Sequence, residues 1–394
     1  MSAPPTVLLT ATEDSADNLG AGLMRALRDR LGPDGVRFVG VGGARMAAEG
    51  LASAFPIGDL AILGLWDGIR ALPRVNRRAD EVAALAARER PDAAVLIDAW
   101  GFSLRVAARL RRQDRALPIV KYVGPQVFAA RPGRAKKLAR QVDLLLSTQS
   151  LDLPYYEGTG LPVRFVGNPV LTRSFVAADP ARARAAVGAG EGDRILLILP
   201  GSRRNEIRRL MPVFGEAAAA LVARRPDLKL ALPVAPSVAD LVRAELAKWS
   251  VPVALLEGSE LKDDAFVAGT AALACSGTVT TELALAGCPM VVAYKADRLT
   301  YTLAQVLLIA PFITLFNIAA GREVAKELVQ DKATGPALVA ALEPLLDDPA
   351  ARAAQAAAQT DAVAKMGRDL GDPSAKAAEA VLEMLRPRRE LPQA

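Results

Sequence analysis

Short runs of β-branched and aliphatic residues alternate with longer stretches of helical periodicity through the first 170 residues of the chain. In the helical stretches, such as residues 20–31, 78–89 and 104–112, apolar side chains recur every three to four positions. The predicted strands are Thr6–Thr10, Arg37–Val41, Ala93–Ile97, Ile119–Val123, Leu144–Leu146 and Val163–Val166. Strands and helices that alternate at this spacing indicate a parallel, doubly wound α/β sheet.

The alternation begins again after Asn168-Pro169. The predicted strands of this second series are Ile195–Leu199, Lys229–Leu232, Val253–Leu256, Ala272–Ala274 and Met290–Tyr294. A chain of 394 residues is too long for one ordinary core, so we expect two domains. We predict Rossmann-like domains over residues 1–169 and 170–341, which face each other across a cleft lined by the carboxyl ends of their strands. Residues 342–394 are predicted to form a helical tail that packs back on the first domain.

Histidine is absent from the chain. This excludes a Ser-His-Asp or Cys-His nucleophile and any histidine metal site, so proton transfer falls to carboxylates, lysine, tyrosine or water. The two cysteines, Cys275 and Cys288, lie in apolar surroundings without metal-ligand spacing, and we interpret them as buried thiols. We predict neither a metal site nor a cofactor.

The net charge of +6 suits a phosphorylated substrate, an anionic lipid or a nucleic acid. Aromatic residues form only 5% of the chain and do not alternate with basic ones, so phosphate or a membrane surface is favoured over nucleic acid. The first residues run directly into a predicted strand without an export signal, which predicts a cytoplasmic protein. Residues 299–321 carry no charge, but Gln305, Pro311 and Asn317 interrupt them, which favours a buried helix and loop over a membrane span.

Two strand–turn–helix segments of the second domain could bind phosphate. In the first, Pro200 and Gly201 form the turn, Ser202 caps the helix and Arg203 is placed to bind phosphate oxygens. In the second, Ser276-Gly277-Thr278 opens a helix whose next turn carries Glu282, which could accept the ribose hydroxyls. The alternatives are an ordinary turn with a solvated arginine, and a glutamate that stabilises the start of its own helix.

Carboxylates follow two predicted strands of the first domain. Asp98 ends a central strand and faces the predicted cleft, which makes it a candidate general base in a chain without histidine. Glu13, Asp14 and Asp17 crowd the first strand–helix turn and are the other candidates. For these three, a solvated cluster at a helix start is the alternative interpretation.

Residues 58–78 combine apolar side chains with a cluster of arginines. Leu65, Trp66, Ile69 and Arg70 are the residues that we expect to contact a membrane surface. A buried helix–loop corner with an exposed arginine face is the alternative.

Eight segments together resemble one family of enzymes, the lipid-A-disaccharide synthases, which are glycosyltransferases of the GT-B type. The likeness extends from about Thr6 to Gln330. The matching segments are Leu19–Leu23, Phe38–Met46 with Glu49-Gly50, Pro132–Lys137, Arg164–Gly167, Leu199–Arg203 with Glu206-Ile207, Ser276–Thr278 with Glu282, Val291–Lys295, and Asn317–Arg322 with Val324, Glu327 and Gln330.

The resemblance implies an inverting transfer of diacylglucosamine from UDP-2,3-diacylglucosamine to the 6-hydroxyl of 2,3-diacylglucosamine 1-phosphate. The products would be a β(1→6) disaccharide and UDP. It also implies peripheral association with the cytoplasmic face of the inner membrane. The sequence leaves the oligomeric state open, and a homodimer is compatible with it.

Individual residues take the roles of the family positions that they match. By resemblance, Asp98 matches the family's base, while Glu13 and Asp17 are catalytic candidates from their position in the first strand–helix turn. The UDP-sugar site comprises Gly201, Ser202, Arg203, Glu206, Ser276, Gly277, Thr278, Glu282, Asn317 and Arg322.

The departures from the family pattern all lie in the first domain. The family's first turn reads Gly-Glu-x-Ser-Gly-Asp, whereas Thr12–Asp17 contains neither glycine. The other departures are at Asp98–Trp100, Val127–Arg131, Gln149–Asp152 and Gly167–Pro169. Three hypotheses remain open here: the family reaction, a paralogue with a different membrane-lipid acceptor or UDP-sugar, and a non-catalytic lipid- or nucleotide-binding relative.

Overall fold

Two six-stranded parallel sheets organise the described part of the chain. The computed structural model describes residues 3–60, 65–297, 301 and 309–390, with the backbone alone for 65–70 and 386–390. The chain divides into two compact units, each built around one of the sheets. The first contains the residues up to Pro169 and those from Leu370 onward, and the second contains Val170–Asp369.

The helices and strands follow one another in strict alternation over most of the chain. The strands are β1 (Thr6–Thr10), β2 (Arg37–Val41), β3 (Ala93–Ile97), β4 (Ile119–Tyr122), β5 (Leu144–Ser147), β6 (Val163–Phe165), β7 (Arg194–Leu199), β8 (Leu228–Val234), β9 (Ala254–Glu257), β10 (Ala271–Cys275), β11 (Met290–Tyr294) and β12 (Lys326–Val329). The helices are α1 (Asp14–Leu31), α2 (Ala44–Ala48), α3 (Leu65–Glu89), α4 (Trp100–Gln113), α5 (Arg134–Ala139), α6 (Pro180–Val187), α7 (Arg204–Arg224), α8 (Ala239–Leu246), α9 (Ser259–Ala268), α10 (Thr278–Leu285), α11 (Leu315–Ala320), α12 (Gly335–Asp347), α13 (Pro349–Lys365) and α14 (Pro373–Glu390). Short 3-10 turns lie at Ile57–Leu60, Ser150–Tyr156, Pro169–Thr172, Pro236–Val238 and Gln330–Lys332.

The sheet of the first unit has the strand order β2-β1-β3-β4-β5-β6. Every residue of β1 and β3 is buried, as expected when helices cover both faces of a parallel sheet. One face packs against α1 and α14, and the other packs against α3 and α4. The register pairs Thr10 with Leu96, so β1 and β3 end side by side.

The sheet of the second unit has the order β12-β11-β10-β7-β8-β9. Helices α7 and α12 cover one face, while α9, α10 and α13 cover the other. Leu199 at the end of β7 pairs with Ala274 near the end of β10. Both units therefore have the doubly wound, Rossmann-like arrangement that the sequence predicts.

The final helices divide between the two units, which corrects the tail predicted over residues 342–394. Helix α13 stays on the second unit because Gln355 exchanges two hydrogen bonds with the backbone of Met290, at 3.2 and 2.9 Å, and Gln359 donates to the carbonyl of Cys288 at 3.3 Å. Only α14 packs on the first unit, against α1. The boundary lies between Asp369 and Leu370.

No helix in the described ranges is both long and apolar enough to cross a membrane. Within the uncharged segment 299–321, residues 299–300 and 302–308 lie outside the described residues. Its last part forms α11.

Substitution Leu385→Ala should destabilise the first unit. Leu385 of α14 is buried in the core that α1 and the sheet share, so its truncation should lower the free energy of unfolding by about 2–5 kcal/mol. The exposed neighbour Glu379 is the control, and Glu379→Ala should change stability by less than about 0.5 kcal/mol. Urea unfolding measures both, and equal stabilities for the two variants would contradict this role for α14.

Candidate active site

Each sheet has a position at which successive loops diverge in opposite directions. In the second sheet the chain runs outward from β7 through β8 and β9, then returns to β10 on the other side of β7. In the first sheet the same reversal lies between β1 and β3. Such switch points are where open α/β sheets bind their ligands, beyond the carboxyl ends of the strands. The predicted site residues concentrate at these two places.

The turn after β7 requires glycine at position 201. Gly201 has a φ of +103°, which L side chains rarely adopt, and an added Cβ would lie 2.6 Å from Oε2 of Glu206 and 3.3 Å from Sγ of Cys275. The backbone at Gly201 therefore passes close to both α7 and β10. Helix α7 begins at Arg204, and the residue at its N-cap is Arg203, not Ser202 as the sequence suggested. Arg203 makes no side-chain capping bond, and Ser202 is exposed one position earlier.

Arg203 is anchored by a buried carboxylate. Its Nη1 donates to Oε1 of Glu206 at 2.9 Å, and the Glu206 side chain is only 9% exposed, whereas that of Arg203 is 78% exposed. Glu206 thus orients the guanidinium and leaves its outer N–H groups accessible to an anion. Burial raises the pKa of the neighbouring Cys275 thiol well above its usual range, so this cysteine stays protonated and unreactive.

The second turn, after β10, is tied to the segment that precedes α11. Ser276 donates through its hydroxyl to the carbonyl of Ile313 at 3.1 Å, and Thr280 donates through its hydroxyl to Gly277 at 2.8 Å. Gly277 occupies the N-cap of α10, which begins at Thr278 and has no side-chain cap. Helices α7 and α10 therefore both begin just after paired strands, β7 and β10. At neither helix start does the N-cap residue make a side-chain capping bond.

Glu282 lies in an ion-pair network one turn into α10. Arg173 donates to its Oε1, and Lys262 donates to its Oε2 at 2.8 Å. Arg173 also binds Asp263 with two bonds of 2.6 and 2.7 Å. Each Glu282 oxygen keeps a second lone pair, so the carboxylate can still accept a hydroxyl group. Glu282 therefore binds two cationic side chains, and it also lies near the start of its own helix.

Asn317, predicted to belong to the UDP-sugar site, is engaged by the protein itself. It is fully buried, and its amide donates to the carbonyl of Ala325 at 2.9 Å and to Glu327 at 2.8 Å. Its oxygen accepts from the amides of Val324 and Ala325 at 2.8 and 3.0 Å. All four of its hydrogen-bonding positions are in use, so Asn317 shapes the loop after α11. Arg322 lies in this loop and is exposed.

In the first unit, Asp98 lies at the switch point on a strained turn. Asp98 and Ala99 have φ values of +49° and +43°, a left-handed conformation that is costly for residues other than glycine. The half-buried Asp98 carboxylate accepts no hydrogen bond from the described part of the chain, while its amide donates to the carbonyl of Tyr122 at 2.8 Å. An unengaged carboxylate on a strained turn is suited to proton transfer.

Asp17, predicted as a catalytic candidate, is buried and bound by backbone amides. It is 2% exposed, and its carboxylate accepts from the amides of Gly43, Arg45 and Met46 at 2.7, 2.8 and 3.1 Å. It therefore caps the start of α2. Glu13, by contrast, is exposed at the N-cap of α1, immediately after the loop that follows β1.

Lys121 is the site residue that sequence reasoning missed. This lysine of β4 is 1% exposed, and its Nζ donates to the carbonyls of Leu96, at 3.2 Å, and of Asp98. Burial lowers the pKa of its ammonium group to about 7, and the Asp98 carboxylate acts in the opposite direction. One signal was present in the sequence, because Lys121 interrupts a predicted strand that is otherwise apolar.

The predicted membrane-contact residues, Leu65, Trp66, Ile69 and Arg70, begin helix α3. Their side chains lie outside the described residues, so their contacts stay a prediction.

A sequence model of lipid-A-disaccharide synthetase (LpxB) matches residues 7–381 of the chain. The lipid-A-disaccharide synthase of Rhodospirillum centenum is 42% identical over 382 residues, which cover 97% of this chain and 95% of that protein. The enzyme of the same name from Pseudomonas aeruginosa is 40% identical over 381 residues, covering 96% and 98%. The chain belongs to the lipid-A-disaccharide synthase family.

Solved structures resemble this family member in fold at low sequence identity. A Staphylococcus aureus MnaA–UDP co-structure superposes with a TM-score of 0.64 at 14% identity and covers 99% of this chain and 98% of its own. UDP-GlcNAc 2-epimerase from Neisseria meningitidis, bound to UDP-GlcNAc, gives 0.59 at 12% identity, covering 97% and 99%. The prediction of a GT-B fold with two Rossmann-like domains is confirmed, and so is the predicted family.

The stability of this lipid-A-disaccharide synthase family member should depend on pH through Lys121. At pH values between about 7, the pKa of Lys121 in the folded chain, and 10.5, its usual pKa, Lys121 keeps its proton in the unfolded chain and has lost it in the folded chain. The free energy of unfolding should therefore rise with pH over this interval, by up to roughly 1 kcal/mol per unit, with no Lys121 contribution to the slope below it. The Lys121→Met variant lacks this rise. Urea unfolding at about pH 6, 7.5 and 9 measures the difference, and parallel curves for both proteins would contradict it.

Proposed function

We propose that this chain transfers diacylglucosamine from UDP-2,3-diacylglucosamine to the 6-hydroxyl of 2,3-diacylglucosamine 1-phosphate. The products are a β(1→6) disaccharide and UDP, with inversion at the anomeric carbon. Membership of the lipid-A-disaccharide synthase family, with 42% identity across 97% of the chain, is the observation that carries the proposal. Because that identity spans both units, a paralogue with another acceptor and a non-catalytic relative are disfavoured.

The second unit binds the donor in this proposal. Amides at the starts of α7 and α10 and the exposed guanidinium of Arg203 bind the diphosphate and neutralise the charge that develops on the departing UDP. Glu282 accepts the ribose hydroxyls through its remaining lone pairs. Structural neighbours of the same fold that contain UDP or UDP-GlcNAc support a UDP-sugar donor.

Asp98 in the first unit acts as the general base. Its carboxylate takes the proton of the acceptor's 6-hydroxyl as that oxygen attacks the anomeric carbon and the bond to UDP breaks. The Asp98 carboxylate accepts no hydrogen bond from the described residues, which supports this role, whereas the three amide bonds of Asp17 argue against the same role for that residue.

Incubation of the purified chain with the two diacylglucosamine substrates tests the proposed reaction directly. Mass spectrometry should detect the phosphorylated disaccharide and stoichiometric UDP. Release of UDP with a different lipid acceptor, without this disaccharide, would instead identify the paralogue. Failure to bind UDP in calorimetry would contradict a transferase of either kind.

The Asp98→Asn variant should lose turnover and keep its affinity for UDP. Removal of a general base lowers kcat by about 10²–10⁴-fold, whereas the UDP site lies in the other unit and should be unaffected. Glu13→Gln tests the competing exposed carboxylate and should cost less than about tenfold. Steady-state kinetics and calorimetry measure the two effects. Turnover retained in Asp98→Asn but lost in Glu13→Gln would transfer the role of base to Glu13.

The chain also associates with the cytoplasmic face of the inner membrane through the start of α3, in our proposal. Combined Trp66→Ala and Arg70→Ala substitution should reduce sedimentation with anionic liposomes, because it removes an aromatic anchor and a cationic contact. Arg243→Ala removes the same charge from an exposed position of the second unit and should leave binding unchanged. Equal liposome binding by all three proteins would rule out this contact.

A further inference from the structure

Lys121 occupies a position where a charged side chain is costly. It lies on β4 of the first sheet, beside β3, and is 1% exposed. A buried ammonium group loses its hydration, and replacing a buried charge by an apolar residue of similar size is often neutral or stabilising. The packing of the sheet alone therefore does not require lysine at this position.

All three N–H groups of the Lys121 ammonium are directed at the carboxyl ends of β3 and β4. They donate to the carbonyl of Leu96 at 3.2 Å, to the carbonyl of Asp98, and to the carbonyl of Tyr122 at 3.4 Å. Tyr122 in turn accepts from the amide of Asp98 at 2.8 Å. The lysine thus holds both sides of the peptide segment that carries Asp98.

The carbonyl of Asp98 is the atom on which the strained turn depends. It lies between Asp98 and Ala99, the two successive residues in the left-handed conformation. This carbonyl accepts a bond from Lys121 and another from the hydroxyl of Ser103, the latter at 2.6 Å. Strained backbone of this kind persists only where the surroundings hold it in place.

We propose that Lys121 is a positioning residue, which holds the Asp98–Ala99 turn by its bond to the Asp98 carbonyl and so orients the Asp98 carboxylate for proton abstraction. The inference rests on the role of Asp98 proposed above. Lys121 explains the geometry better than the hydroxyl of Ser103 alone, because its Nζ joins the Asp98 carbonyl to the carbonyls of Leu96 and Tyr122, whereas the hydroxyl bonds the Asp98 carbonyl alone.

Two variants that act on the same carbonyl test the proposal. Lys121→Met removes the Nζ donor and preserves an unbranched side chain. The Asp98 carbonyl then keeps its bond from Ser103, and the Tyr122 carbonyl keeps its bond from the Asp98 amide. Ser103→Ala removes the hydroxyl donor instead. Lys121→Met should lower kcat by about 10²-fold, as for a displaced catalytic group, with the donor KM within about twofold of the wild-type value. Ser103→Ala should lower kcat by less than about fivefold.

Hydrogen exchange provides a measurement that does not depend on turnover. The amide of Ser103 donates to the carbonyl of Ala99 at 2.9 Å and so reports on the turn. It should exchange at least about tenfold faster in Lys121→Met than in the wild-type chain, and less so in Ser103→Ala. Unchanged affinity for UDP would show that the second unit of each variant is intact.

The outcomes separate the two proposals. A wild-type chain that forms no disaccharide contradicts the proposed function, and exchange then still decides whether Lys121 holds the turn. With an active wild-type chain, unchanged kcat in Lys121→Met overturns the positioning role, and so does unchanged exchange at Ser103. Equal losses of kcat in Lys121→Met and Ser103→Ala also overturn it, because Lys121 would then have no special part.

Discussion

Parallel pairing between strands that are distant in sequence is the constraint on which the rest of the structure depends. β1 pairs with β3, and β7 pairs with β10, so each sheet acquires a point where successive loops diverge. The first pairing places the Asp98 turn beside the loop that leads to Glu13. The second brings Gly201 against Cys275 and aligns the starts of α7 and α10. Both candidate sites exist because these backbones are hydrogen-bonded in register.

Hydrogen-bond partners distinguish the residues that can meet a ligand from those that support the site. Asp17 and Asn317 resemble site residues by type and position, yet each is buried and bound to backbone groups. Arg203 is anchored at one end and exposed at the other, and Asp98 presents its carboxylate from a strained turn. Glu282 is intermediate, since two cations hold a carboxylate that retains lone pairs. In each unit, the candidate site residues are therefore a few accessible groups on a scaffold of polar groups that are already hydrogen-bonded.

Most of the strands could be predicted because they are buried on both faces and so are apolar without interruption. β1, β2, β3 and β11 match their predicted bounds, whereas β12 was missed. β12 lies at the edge of its sheet and contains Lys326 and Glu327, so it has no continuous apolar run. Helices α1, α3 and α4 begin before their predicted starts, and in α1 the first turn is polar and carries little periodic signal. The return of the chain to the first unit after residue 369 could not be predicted, because α13 and α14 are both Ala-rich. The contacts of Gln355 and Gln359 are what assign α13 to the second unit.

The sequence by itself determined the fold class, the family and the segments that carry the donor and acceptor chemistry. These properties follow from local patterns: periodic apolar residues, glycine at a tight turn, and ordered motifs. Only the tertiary structure decided which of the polar residues are available, because a side chain's partners come from elements far along the chain. Asp17 is bound by the start of α2, Asn317 by the loop that leads into β12, and Asp98 is held from β4 by Lys121. Burial and pairing of that kind are properties of the assembled sheet, and no local stretch of sequence contains them.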